Sequence, residues 1–314
     1  MPFDFNQVSA PFRMQPGLRR IAPGSTQLTP SRPNGRHLRE KMAVLASTSH
    51  EALVASPGFD ADPALRAIAD EASLAAPAAF AFEGPNRCAA PHLGWSIRGG
   101  VTEGTGEAAI GDLLASLPAA KRATALLCLA FEEDFAVIDG STATIPWLAV
   151  CLPSRWAPED KVGRHFAAVH APVADNTLLI EAGERLARLV TGPDRWERFV
   201  WTVSADPRLH QHPARGEATW PDDADAEAVA TLASFRHEHQ TFIPIPGTGQ
   251  AMFTIRVGSE PLDTALRWRE DAQRLQDAIA TMSPAVLAYR GLGAARERLL
   301  EALARRIATL PAAP

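Results

Sequence analysis

The strongest constraint on this chain is an ordering: a pair of β-rich apolar runs, a helical interval, then a second group of strand segments. The first pair, Ala125 to Ile138 and Thr144 to Leu152, flanks Asp139-Gly140, a dipeptide that accepts the left-handed backbone of a tight hairpin turn. Strands are expected again over 198–204, 233–243 and 250–257, the last two joined by Pro246-Gly247-Thr248-Gly249. Between the groups, Pro158 to His170 reads as a helix closed by Pro172, and a further helix covers about 176–191. This order predicts an α+β fold: an antiparallel five-stranded sheet with helices on one face and a ligand cavity between the two.

The flanks read differently. Residues 1–36 are rich in Pro, Gly, Ser and Arg and predict an extended arm wrapped on the body. A helix is expected from His37 to about Val54. A second has Asp62 as N-cap, Pro63 at its first position, and Leu65, Ile68 and Ala72 on one face. The stretch 76–106 is loop-like, broken by Pro77, Pro85, Pro91 and Gly99-Gly100, and a short helix follows over about 108–116. The tail from Pro261 to Leu310 is helical and amphipathic, interrupted by Pro284, Gly291 and Gly293. The expected division is an arm with helices over 1–119, a core over 120–260 and a C-terminal helical extension over 261–314, packed as one unit.

Composition narrows the function. With 314 residues, 46% hydrophobic and 21% charged, the chain can bury a sizeable core. A net charge of −5 with no basic stripe speaks against a nucleic-acid partner. No apolar run reaches the length of a membrane span, and Met1 to Pro30 is broken by prolines and charges where a signal peptide would have its apolar core. The expected location is therefore the cytoplasm. Three cysteines, Cys88, Cys128 and Cys151, are widely spaced and odd in number, which argues against a disulfide framework or a cysteine zinc site. There is no Gly-rich dinucleotide fingerprint and no four-cysteine cluster.

The residues able to carry chemistry cluster in the middle. On the expected 158–170 helix, Val162, Phe166 and Val169 form an apolar stripe. At about 100° per residue, His170 lies roughly 80° to one side of Val162 and His165 roughly 60° to the other, so either can point into the cavity. His210 and His212 have a spacing that puts both on one face of a strand, as a metal pair would need, or they simply follow a strand in a loop. In the 233–243 strand, His237 and His239 share one face while Arg236, Glu238 and Gln240 share the other. At most two of Glu132, Glu133 and Asp134 can share a face, and the run reads as part solvated and part capping. Trp147, Trp156 and Trp201 read as core.

Several phrases also resemble a known family. Glu132–Gly140 (EEDFAVIDG), Cys151–Trp156 (CLPSRW), Lys161–Val173 (KVGRHFAAVHAPV), Arg198–Trp201 (RFVW), Arg236–Thr241 (RHEHQT) and Phe253–Arg256 (FTIR) are similar, in order and spacing, to motifs of the haem subunit of haem-dependent oxidative N-demethylases. The likeness covers about 120–260, with a looser one around Lys41 and at Tyr289-Arg-Gly-Leu. It implies a PAS-like fold holding b-type haem and oxygen-dependent demethylation of a small secondary amine, dimethylamine or a relative, with formaldehyde as product. It further implies electrons from NADPH through FMN and a 2Fe–2S centre on a separate reductase, since this chain carries neither binding signature. Histidine is the default axial donor for such a haem. His170 is preferred, being inside the family phrase at the helix end, with His165 as the alternative. Arg236 and Gln240 would line the cofactor, and Glu238 and Arg256 would act on bound oxygen or hold the amine cation, because charges in an apolar pocket need partners. The chain departs from the family pattern at His239, where an arginine is usual, at Val257-Gly258, where Thr-Tyr is usual, and in an arm without the usual Trp and Asp landmarks. Two competing readings use the same core: a non-catalytic haem sensor of oxygen, CO or NO, and a PAS-like protein with an empty or non-haem pocket.

Overall fold

The computed structural model describes residues 3–22, 24–216 and 218–314. The arm opens with a 3-10 turn at Phe5–Gln7 and forms a short strand, β1 (Arg19–Arg20). Helix α1 (Arg36–Ala52) runs directly into β2 (Leu53–Ala55), and α2 (Asp62–Ala75) follows. Pro63 sits in the first turn of α2, where its missing N–H has no bond to forgo, and Ala61 rather than Asp62 takes the cap position. Strands β3 (Ala81–Gly84), β4 (Arg87–Ala90), β5 (Trp95–Arg98) and β6 (Val101–Gly104) make a separate four-stranded antiparallel sheet. Helices α3 (Ala108–Ser116) and α4 (Ala119–Ala130) lead to the hairpin of β7 (Glu133–Asp139) and β8 (Thr144–Ala149). Asp139 closes that hairpin by accepting from the backbone N–H groups of Ser141 and Thr142, each at 2.9 Å. Burial would raise its pKa, but hydrogen bonds from the Ser141 hydroxyl, the Gln250 amide and Thr142 outweigh that and hold the carboxyl well below the usual range, at about 2.

Next come the short helices α5 (Phe166–His170), α6 (Thr177–Glu181) and α7 (Gly183–Val190), then β9 (Trp196–Ser204) and α8 (Ala226–Leu232). The long hairpin of β10 (Ser234–Ile245) and β11 (Gln250–Pro261) completes the main sheet. The chain ends in α9 (Leu262–Ala265), α10 (Arg269–Ala280), α11 (Pro284–Tyr289) and α12 (Arg296–Thr309). Among the described residues no helix is long and apolar enough to cross a membrane.

The main sheet is antiparallel throughout, in the order β1-β9-β10-β11-β7-β8-β2. One of its faces carries Phe135, Val137, Ile243 and Met252 into the largest core, shared with Leu45 of α1, Ile68 of α2 and Leu126 of α4. At the β9 end of that face, Trp201 and Phe235 pack with Phe3 and Phe5 of the arm and with Leu275 and Leu299 of the C-terminal helices. On the opposite face, Ala136 and Leu148 meet Trp156 and Val162, and Phe242 and Ala251 meet Val190 of α7. This second face lies under the loop and short helices that carry the candidate histidines.

The α+β expectation holds, with corrections. The sheet has seven strands rather than five, because β1 and β2 are too short to show any alternation in sequence. The stretch expected as loop over 76–106 is the four-stranded sheet. Its breakers are the turns themselves: Pro85-Asn86 joins β3 to β4, and Gly99-Gly100, both at positive φ, joins β5 to β6. The strand expected from Ala125 begins only at Glu133, since 119–130 is helix α4, buried on nearly all sides over its last turns. A wholly apolar run carries no period by which strand and helix can be told apart. The helix expected over Pro158 to His170 is a 3-10 turn at Pro158–Asp160 followed by α5 alone, and Gly163, at φ 74°, breaks it between.

Candidate functional site

Strand β10 presents Arg236, Glu238 and Gln240 on the face beneath Trp156 and α7, as alternation requires. In register, Glu238 lies opposite Val200 and Gln240 opposite Arg198 on β9. Both oxygens of Glu238 are engaged: Oε1 by the hydroxyl of Ser154, and Oε2 by Gln240 Nε2 at 2.6 Å. Ser154 Oγ in turn accepts from Arg236 Nε at 2.9 Å and Nη2 at 2.7 Å. Arg236 gives its other N–H groups to the carbonyls of Arg208 and Leu209, 2.9 Å each. Burial pulls its pKa down to about 10 against the opposing pull of Glu238 and Asp206. With most of its donors engaged inside the protein, Arg236 clamps the 152–154 loop to β10. One N–H on Nη1 is left over for the expected cofactor contact.

Arg198 is the opposite case. Its guanidinium is buried, which lowers its pKa, while Glu238 and Tyr289 pull the other way. Its Nε is buried with no hydrogen-bond partner among the described residues. An orphaned cation of this kind is costly unless something present in the working protein accepts from it.

His170 ends α5, half-buried, with its ring stacked on Phe166 at 4.0 Å between centroids. Nδ1 lies 2.9 Å from the carbonyl oxygen of Phe166, which can only accept, so Nδ1 carries the proton. That leaves the Nε2 lone pair outside this bond. Burial, helped by the charges of Arg198 and Lys161, takes the imidazole pKa down to about 4, so the ring is neutral at physiological pH. A neutral imidazole with Nδ1–H anchored on a carbonyl is the arrangement that readies Nε2 for a metal. His165 is exposed and uses Nδ1 to accept from the Ala167 N–H at 3.2 Å, capping α5. In its neutral form the proton is then on Nε2, the wrong tautomer for a ligand there.

The remaining candidates lie elsewhere. Arg256 is opposite His239 and Glu133 in register, on the other face from Glu238, and bonds Glu132 Oε2 through Nε at 2.9 Å and Nη2 at 2.6 Å. His37 joins this group, donating from Nε2 to the Val257 carbonyl at 2.6 Å. His239 shares that face and bonds Glu197 at 2.6 Å, and the His237 ring lies where a Cβ on Gly258 would be. His212 comes together with Glu51 and Glu159. Its Nδ1 accepts from the Ala214 N–H at 3.1 Å, so Nε2 donates to Glu159 at 3.1 Å and has no lone pair for a cation. His210 stacks on the His212 ring, 6.1 Å between centroids, and donates to the Cys151 carbonyl at 2.7 Å. Glu132, Glu133 and Asp134 are all buried, contrary to the partly solvated reading, and the three tie the arm and α1 to the sheet. Trp147 and Trp201 are core as expected, and Trp156 is half-buried over the site face.

Three residues at the site escape a search by residue type: Ser154, Arg198 and Tyr289. All lie inside phrases singled out in the sequence, which is the signal that could have found them. Tyr289, on α11 and 46% exposed, is close enough for the charges of Glu238 and Arg198 to act on it.

The arrangement fits a haem. Helices α5 and α6 bury no residue completely although they carry Phe166, Val169, Leu179 and Ile180, so an apolar wall still has surface to cover. Beside it stand an imidazole with an available Nε2 and a buried guanidinium able to take a carboxylate or another oxygen ligand. A family model described as haem-dependent oxidative N-demethylase, alpha subunit-like, matches residues 38–300, which include every strand but β1, the short helices over the site and α11. The chain belongs to the haem-dependent oxidative N-demethylase, alpha subunit-like family.

Proposed function

We propose that this chain is the haem-carrying component of an oxidative N-demethylase acting on a small secondary amine, dimethylamine or a relative. It would work in the cytoplasm with dioxygen and with electrons passed from NADPH through FMN and a 2Fe–2S centre on a separate reductase. The observation that carries this reading is the pairing of a metal-ready His170 with a hydrogen-bonded carboxylate, Glu238, on the sheet face below it. The five long strands, adjacent in the order β8-β7-β11-β10-β9 with α5 to α7 over one face, support a PAS-like core for the cofactor. The haem is b-type on this reading, since no Cys-x-x-Cys-His attachment sequence is present.

When bound, the haem supplies the iron at which dioxygen is reduced and the N-methyl group oxidised. His170 holds it through Nε2 and stays neutral because its site is buried. Glu238, with a donor on each oxygen, is kept as an acceptor and attracts the ammonium form of the amine. Arg198 offers N–H groups to an oxygen ligand or a carboxylate. His239, a departure from the family pattern, faces away from Glu238 and leaves the amine site unchanged. Val257, directly opposite Glu238 in register, places an apolar side chain where the family has a hydroxyl, which favours a substrate with more carbon at that point.

The test is direct. Purified with adequate haem supply, the protein should show a Soret band and release its haem on acid extraction. Given an electron donor and oxygen, it should yield formaldehyde from at least one member of a panel of methylated secondary amines. A haem protein that binds oxygen reversibly and turns over none of them is a sensor instead. A protein that takes up no haemin overturns both.

A further inference from the structure

We infer that Ser154 is a positioning residue, which transmits the charge of Arg236 to Glu238 and fixes the carboxylate for the amine cation. The inference rests on the reading of Glu238 as the amine acceptor. Its basis is a proton inventory. Arg236 places two N–H groups on Ser154 Oγ, at 2.9 and 2.7 Å, and both require the oxygen as acceptor. The one hydroxyl proton of Ser154 is then directed at Glu238 Oε1. A hydroxyl polarised by a cation is a stronger donor to a carboxylate than a free one. Gln240 holds Oε2 at 2.6 Å, so the plane of the carboxylate is set from two sides.

The backbone delivers the hydroxyl to this place. Pro153 O accepts from the Gln211 N–H at 3.0 Å, and the Arg155 N–H donates to Gln211 O at 2.9 Å, so Ser154 is pinned between two bonds to one residue. Arg155 turns the chain at φ 63°, in the left-handed region, and its side chain reaches the Arg290 carbonyl at 3.1 Å. A loop held against both the 211 segment and the end of α11 has little freedom to move its hydroxyl off Glu238. Arg236 makes no direct hydrogen bond or ion pair with Glu238 among the described residues, so besides their through-space attraction the serine is the hydrogen-bonded link between them.

The experiment uses the full-length haem-loaded protein and its Ser154→Ala, Ser154→Thr and Glu238→Gln variants. Binding of dimethylammonium is measured by calorimetry in the ferric state, beside haem content and melting temperature. Glu238→Gln should lose binding. Ser154→Ala should weaken it by roughly tenfold or more, the scale of a lost hydrogen bond to a charged group. Haem content should stay at the parent level, and Ser154→Thr, which keeps the hydroxyl, should restore affinity to within about twofold, a rescue that packing alone does not give. Parent-like binding in Ser154→Ala beside lost binding in Glu238→Gln overturns the role of Ser154 and leaves that of Glu238 standing. Parent-like binding in Glu238→Gln overturns both. Should Ser154→Ala fail to fold, Ser154→Cys, similar in volume but a weak donor, decides: weakened binding supports the inference and parent-like binding overturns it.

Discussion

Two histidines on one short segment are made unequal by a single hydrogen bond each. His170 gives its Nδ1 proton to Phe166 O, while His165 takes a proton from the Ala167 N–H, so only the first keeps Nε2 as a lone pair. His170→Ala should therefore abolish haem retention with a melting temperature close to the parent. His165→Ala should keep the Soret band and lose only the modest stability of a cap, about 1 kcal/mol or less. The reverse pattern in an absorbance titration with haemin would falsify the assignment. The same logic separates Glu238 from Arg256, which a strand reading of residue types had grouped. Arg256→Leu leaves the Glu132 carboxylate, 9% exposed, without the two N–H donors that Arg256 places on Oε2. It should destabilise the fold by about 1–3 kcal/mol in urea while amine affinity holds, whereas Glu238→Gln should do the opposite. The alternation along β10 was legible because period 2 needs only local sequence. That Arg256 answers to Glu132 was not, because it depends on the register of β11 against β7.

At the scale of elements, legibility followed amphipathicity. Helices α1, α3, α10 and α12 each show one buried face and one exposed face, and their sequences say so. Helix α4 does not, since six consecutive residues from Ala125 to Ala130 are buried. Strands β3 to β6 escaped because four-residue strands between turns look like the turns that bound them. The fastening of the arm is hidden from the sequence. Thr29 donates its N–H to both oxygens of Glu133, at 2.9 and 3.1 Å. Burial raises the Glu133 pKa to about 7, with the Thr29 bonds and Arg256 opposing. A carboxyl raised in the folded state binds its proton more tightly there than in the unfolded chain. Its stabilising contribution is thus complete below the unfolded value near 4.5 and is lost as pH rises through about 7. Glu133→Gln mimics the protonated form and keeps an acceptor for Thr29. Its melting temperature should exceed the parent's at pH 8, by a free energy of up to about 3 kcal/mol, and converge on it at about pH 4. An equal difference at both pH values would show that Glu133 does not titrate in this window.

At the scale of the molecule, α1, the sheet and the site loop meet at one buried ion pair. Lys41 of α1 is fully buried, with Nζ 3.1 Å from Asp134 Oδ1, an ionic contact outside hydrogen-bond angles. Nζ also donates to the carbonyls of Phe131, at 3.0 Å, and of Glu133. Asp134 Oδ2 accepts from the Leu152 N–H at 2.6 Å, at the head of the loop that presents Ser154. Burial alone would lower the lysine pKa, and the Asp134 carboxylate with Cys128 and Cys151 nearby reverses the sign, so the ammonium stays charged. Removing one partner leaves the other charge buried and alone, which costs about 3–5 kcal/mol. Lys41→Met should therefore destabilise the protein by that order and loosen the 152–154 loop, seen as faster amide exchange at Leu152. The double variant with Asp134→Asn removes both charges and retains a side-chain oxygen for the Leu152 N–H. Replacing a buried pair by neutral groups is often nearly neutral, so the double variant should recover most of the lost stability, short of the cost of the Phe131 and Glu133 carbonyls that lose their ammonium donor. A Lys41→Met protein within about 1 kcal/mol of the parent in urea would mean that water already reaches the pair, and that α1 and the site loop are held together by apolar packing alone.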